Sequence, residues 1–183
     1  NSNFSESFAE DNVNIINSSF IIKETNFTNS SSDALDLDFS NGNLNNLVFT
    51  NINSDGVDTS GSSVTINNLE FNKIKDKAIS AGEGSLINIT DVNINYSGVG
   101  LASKDSSLII GEKIKFSNSI LTDLLVINKK SFYRGGKMDL TNMNTESKIS
   151  SMVQLGSEAI VNGNKLETYI IDTEKLYESI MMR

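Results

Sequence analysis

The sequence predicts an all-β fold: a right-handed parallel β-helix, a single-stranded solenoid of about seven coils with a short C-terminal capping helix. Three observations carry this. Apolar residues recur at a period of about 22: Val13, Leu35, Val57, Ile79 and Leu101 fall in one column, Ile22, Leu44 and Ile66 in a second, Phe27, Phe49 and Phe71 in a third. Ile94 and Phe116 continue the phenylalanine column after one inserted residue near 82–85. Gly, Asn and Ser recur between the apolar segments, where stacked turns need them. A fixed period of this size marks a unit that buries its apolar face only against its neighbours.

Residues 1–10 hold Phe4 and Phe8 but no cap signal, and are expected to be an edge that continues an upstream region. The chain starts Asn1-Ser2-Asn3 without an initiator Met or signal peptide, the pattern of a piece of a longer protein. Residues 11–166 form the expected β-helix. In the block from Asp33 to Ser54, Leu35, Leu37 and Phe39 alternate with Asp36 and Asp38, which is strand period and points the three apolar side chains inward. Ser40-Asn41-Gly42-Asn43 is a turn, and Leu44, Leu47, Phe49 and Ile52 follow. The next block repeats this with Val57, a Gly61-Ser62-Ser63 turn, Val64, Ile66, Leu69 and Phe71.

A leucine-rich repeat has a similar period, and Leu44, Leu47 and Phe49 match part of its signature. It requires a buried Asn where Ile52 and Ile74 stand, and the remainder of the block lacks helical period. The β-helix is the better fit. Its geometry would stack Asn29 on Asn51 and Asn45 on Asn67 as side-chain amide ladders. After Ser119 the period loosens. Leu124–Ile127 reads as a buried strand, 128–137 as a longer loop, and Met138, Leu140, Met143, Met152, Val153 and Ala159–Val161 as the last coils. Thr173 as N-cap and Glu174 in the first turn start a helix within the cap, 167–183, with Leu176, Tyr177, Ile180 and Met181 on one face, closing the end of the stack.

The chain contains no Cys, His, Pro or Trp. Disulfides and thiolates are therefore excluded, and so are histidine bases and histidine metal ligands. Catalysis would rest on carboxylates, Lys, Arg, Tyr or a metal. The net charge of −8 opposes nucleic acid, and no apolar run approaches a membrane span.

The residues that could carry chemistry are chiefly acidic. Asp33 and Asp55 stand one period apart, as do Asp36 and Asp58; Asp38 shares a strand face with Asp36, and Asp76 lies near the next step. Stacked carboxylates repel one another and favour a cation, a donor or a substrate between them. Asp36, Asp38 and Asp58 are the expected calcium ligands; beyond calcium no cofactor is expected. Asp33, Asp36, Asp38 and Asp58 would line a ligand groove. The bland alternative is that these carboxylates end turns and face water. Lys129, Lys130, Tyr133 and Arg134 form a basic patch for an anionic glycan or a neighbouring domain, or else a solvated loop.

Asn53–Asp58, Val64–Asn68 and Lys75–Ile79 resemble the polygalacturonase family of β-helical glycoside hydrolases. That resemblance puts Asp55 and Asp76 at catalytic acid/base positions. The family also needs a second Asp, where Lys77 stands, and a Gly-His-Gly, where Gly98-Val99-Gly100 stands. The segments 33–40, 55–64, 76–85, 99–107, 127–136 and 153–163 are similar, in order, to the right-handed β-helix repeat region of bacterial surface proteins, often found beside CotH-type (spore-coat-kinase-like) domains. This second resemblance implies a non-catalytic spacer or binding module, extracellular or at the cell surface, partnered by polysaccharide or by an adjacent domain of the same polypeptide. The alternatives are a carbohydrate-active enzyme (glycoside hydrolase or polysaccharide lyase) and an adhesin or phage tail-fibre fragment. The oligomeric state is left open.

Overall fold

The computed structural model describes residues 2–143 and 148–181, with side chains to residue 178. In chain order the strands are β1 (Ser2–Ser7), β2 (Asp11–Ile16), β3 (Ser19–Ser30), β4 (Asp33–Asp38), β5 (Asn41–Ile52), β6 (Val57–Ser60) and β7 (Ser63–Gly82). They continue with β8 (Leu86–Lys104), β9 (Leu108–Ser117), β10 (Thr122–Ile127), β11 (Lys137–Thr141), β12 (Ser151–Val153), β13 (Glu158–Val161) and β14 (Asn164–Lys165). The single described helix, α1, spans Thr173–Met181. Apart from β14, which pairs antiparallel with β13, the strands stack in parallel as a β-solenoid of about 7 turns, the parallel β-helix expected from the period.

Each coil has three walls. The first wall is set by the register Ile22–Leu44–Ile66–Ile89–Gly111–Leu140, the second by Phe4–Phe27–Phe49–Phe71–Ile94–Phe116. The third runs Val13–Leu35–Val57–Ile79–Leu101–Leu124. The three apolar columns therefore occupy one wall each. The inserted residue is also where expected: Ser60 pairs with Gly82, 22 residues on, but Ser63 pairs with Leu86, 23 on.

The corners explain the Asn-rich composition. Glu24, Asn46, Asn68, Asp91 and Lys113 form one corner column, Asn29, Asn51, Lys73, Tyr96 and Asn118 a second, and Asn17, Phe39, Gly61, Glu83 and Asp105 a third; all have φ between 47° and 60°. Left-handed backbone favours Gly and Asn, whose side chains also bond locally. Side-chain amides then link the coils. Asn51 Nδ2 donates to Asn29 Oδ1 at 3.0 Å, as expected. In the other ladder the bonded pair is Asn68 to Asn46, at 2.8 Å, one residue beyond the Asn45–Asn67 pair expected. The left-handed corner turns Asn46 and Asn68 toward each other.

A serine ladder runs beside the third corner and was not read from the sequence. The amides of Ser18, Ser40, Ser62 and Ser85 each donate to the hydroxyl one coil on, of Ser40, Ser62, Ser85 and Ser107, at 2.9–3.1 Å. Each link satisfies a turn amide that no wall strand reaches. Phe39 is a correction. Expected inside, it sits at this corner, 60% exposed, because the left-handed backbone ends the alternation. Its ring lies over Gly61, where a Cβ would stand 2.8 Å away.

The core is continuous. Phe27, Phe49 and Phe71 are fully enclosed or nearly so, and their rings stack at centroid distances of 4.9 and 4.7 Å. That spacing is the distance between strands, so the ladder register itself fixes the stack. The helix α1 forms where expected, but Asp172, not Thr173, caps it: Asp172 Oδ1 accepts from the Lys175 amide at 3.2 Å. Leu176 packs against Val99, Ala102, Leu125 and Ile127, which face outward from the third wall. The helix thus covers a lateral face, rather than lying across the end of the core as expected. The side chains of Ile180 and Met181 lie outside the described residues.

Removing the central ring of the stack tests this account. Phe49→Ala is expected to cost about 3–5 kcal/mol in urea unfolding. Phe132→Ala, at an exposed loop position, should stay within about 0.5 kcal/mol.

Candidate functional site

The third wall turns two outward columns to one side, and their chemistry changes along the rod. One column reads Asn14, Asp36, Asp58, Ser80, Ala102, Leu125, Met152. The other reads Ile16, Asp38, Ser60, Gly82, with Lys104 and Ile127 paired further along. The N-terminal half is acidic and the C-terminal half is apolar and carries α1. The candidate site lies at the join.

Its centre is Lys77, only 3% exposed. The Lys77 ammonium contacts Asp55 Oδ1 at 3.1 Å and Oδ2 at 3.4 Å, and also donates to Asp76 Oδ2. Asp55 is itself 4% exposed. Burial works against the ammonium, yet Asp55 and Asp76 hold its pKa above the ordinary lysine value. The two carboxylates at the polygalacturonase acid/base positions are therefore both paired with the lysine that stands where that family has its second Asp. Val99, at the family's His position, lies under Leu176.

The spacing of Asp33 and Asp55 has a structural cause. Asp33 Oδ1 accepts from the Asp55 amide at 2.8 Å, and Asp55 Oδ1 accepts from the Lys77 amide at 2.9 Å. Each carboxylate so ties down the start of the next coil on this wall.

Around this core the other residues gather unevenly. Lys104, buried, lies 3.9 Å from Asp58. Tyr177 of α1 places its ring 5.7 Å from the Lys77 Nζ and 4.2 Å from the Lys129 Nζ. Lys130 pairs with Glu83. Carboxylate oxygens of Asp33, Asp55 and Asp58 come within 4.8 Å of one another, a grouping different from the Asp36, Asp38 and Asp58 set expected for calcium. Tyr133 and Arg134 belong to the 128–137 loop, with Arg134 exposed. That loop is pinned by Asp105, whose Oδ1 accepts from the amides of Lys129 and Lys130, both at 2.7 Å.

Sequence reasoning missed Lys104, Asp105 and Tyr177. A lone buried Lys or Asp carries no periodic signal. Tyr177 reaches the site only because the chain doubles back after β14.

Burial, then the neighbouring Asp55, raises the Asp33 carboxyl from 3.8 to about 6. Burial, then Asp38 and Asp58, raises Asp36 to about 7. Burial and Asp58 also push Asp38 upward. A carboxyl whose folded pKa is raised binds its proton more tightly in the folded chain than in the unfolded one. Its contribution to stability is therefore greatest below the ordinary carboxylate pKa and declines as pH rises through the folded value. Comparison with protein-family models, with curated proteins and with solved structures gives no match.

Two outcomes are expected. The melting temperature should fall between pH 5 and pH 8, and Asp36→Asn should flatten that slope and add about 1 kcal/mol at pH 8, after allowance for solvent screening. Lys77→Met, which leaves Asp55 buried without its cation, should cost about 3–5 kcal/mol in urea unfolding at pH 7.

Proposed function

We propose that this chain is a non-catalytic β-helix module, a stiff spacer that presents a binding face, from a secreted or surface-attached bacterial protein. One observation carries the non-catalytic part: the ammonium of Lys77 occupies both Asp55 and Asp76, and Asp55 is shut away from solvent. A general acid or base has to reach the proton it transfers, directly or through one water. Among the described residues, the hydrogen-bond donors on the Asp55 carboxylate are the amide and the ammonium of Lys77. The extracellular setting rests on the resemblance to β-helix regions of bacterial surface proteins.

The face that such a module would present is the half-buried acidic one, Asp33, Asp36, Asp38 and Asp58. Burial first, and then like-charge crowding, raise the carboxyl pKa values of Asp33, Asp36 and Asp38, and calcium or a hydroxyl-rich glycan would relieve the crowding. No helix among the described residues is long and apolar enough to cross a membrane.

A panel of acidic and neutral polysaccharides, assayed with and without calcium, is expected to show no depolymerisation. Turnover that disappears in Asp55→Asn would overturn the non-catalytic reading. Millimolar calcium should raise the melting temperature at pH 8 in the native sequence and not in Asp36→Asn/Asp58→Asn. An unchanged melting temperature would remove calcium from the proposal.

A further inference from the structure

The Lys77 cluster is assembled like the reactants of an amide condensation. We propose that the Lys77–Asp55 ion pair is the precursor of an intramolecular isopeptide bond, formed with Asp76 as the proton carrier, so that adjacent coils of the third wall become covalently linked.

Four features of the site carry this. The nucleophile and the electrophile are both almost fully enclosed, so water competes with neither. The Lys77 Nζ stands 3.1 and 3.4 Å from the two oxygens of Asp55, in direct contact with the carboxyl group whose carbon it would attack. The Lys77 amide donates to Asp55 Oδ1 at 2.9 Å and would stabilise the oxyanion that forms on attack. Asp76 contacts the same Nζ through Oδ2, the oxygen placed to take and return its proton, while its Oδ1 is buried without a hydrogen-bond partner.

The atoms balance without a co-reactant. Asp76 takes one proton from the Lys77 ammonium and passes it to the Asp55 carboxylate. The neutral amine then attacks the Asp55 carboxyl carbon, forming the C–N bond and a tetrahedral oxyanion. Asp76 takes a second proton from the nitrogen and delivers it to the departing hydroxyl. The C–O bond breaks, one water leaves, the carbonyl re-forms, and Asp76 ends as the carboxylate it was. Nothing is oxidised or reduced. Asp76 is the poorer electrophile: it is part-exposed, and a link to it would join only sequence neighbours. Asp55 and Lys77 stand 22 residues apart, so their link spans a full coil in a chain that has no cysteine to form a disulfide.

Intact-mass spectrometry of the purified, denatured protein tests this directly. The expected mass is one water below that of the sequence, with the peptides containing Asp55 and Lys77 joined in the digest. Asp55-Gly56 can also lose water by closing to a succinimide, which hydroxylamine cleaves and which does not need Lys77. The water loss should therefore vanish in Lys77→Arg and resist hydroxylamine in the native sequence. In Asp76→Asn the joined peptide should accumulate about a hundredfold more slowly. A native protein at its full sequence mass would overturn the proposal. So would a water loss that survives Lys77→Arg. Unchanged accumulation in Asp76→Asn would overturn the role given to Asp76.

Discussion

Every wall of this molecule depends on one constraint: a parallel, in-register ladder in which each residue lies directly over its counterpart one coil away. Strand hydrogen bonds enforce a spacing close to 4.8 Å, and the side chains inherit it. Like therefore stacks on like. For phenylalanine that is favourable, since rings at this distance fill the interior without gaps. For serine and asparagine it is also favourable, because a donor on one coil meets an acceptor on the neighbouring coil. For aspartate it is not.

The third wall resolves the aspartate problem in three different ways along its length. In the column of Asp33 and Asp55, each carboxylate accepts a backbone amide of the following coil, and the column ends on Lys77. In the column of Asp36 and Asp58, Asn14 donates to Asp36 at one end and Lys104 lies near Asp58 at the other, while burial, then Asp38 and Asp58, raise the pKa of Asp36. Beyond Ser80 that column carries no charge, and Ala102 and Leu125 make it apolar enough to bind Leu176. The helix thus has a physical reason for its position: it settles where the column of Asp36 and Asp58 stops being charged. Tyr177 then overhangs the last lysines of the charged half.

How much of this could be read from the sequence follows from the same ladder. Much of what repeats with the coil was legible: the three apolar columns, the inserted residue near 82–85, the Asn29–Asn51 pair and the stacked aspartates. Anything that occurs once was not. Lys77 could be seen to break a family pattern, but not to close an aspartate column. Asp105 was invisible because its partners are loop amides. Phe39 misled because strict alternation says nothing about where a corner reverses the sign of φ. Thr173 misled because two adjacent residues could cap the helix, and only the geometry chooses Asp172. The serine ladder did repeat, at Ser18, Ser40, Ser62, Ser85 and Ser107, but its residues sit in turns, where attention goes to glycine and asparagine.

The step of 23 residues between Ser62 and Ser85, set among steps of 22, has a wider implication. The extra residue is taken up at a corner, and the ladder on either side stays in phase. Variation in chain length is thus absorbed locally, while the walls count only whole coils. A segment from any position to its counterpart one coil later is a self-contained unit whose duplication or loss leaves both flanking surfaces matched. The length of such a rod is open to adjustment by genetic unequal exchange, in increments of about 4.8 Å, without redesign of its interior.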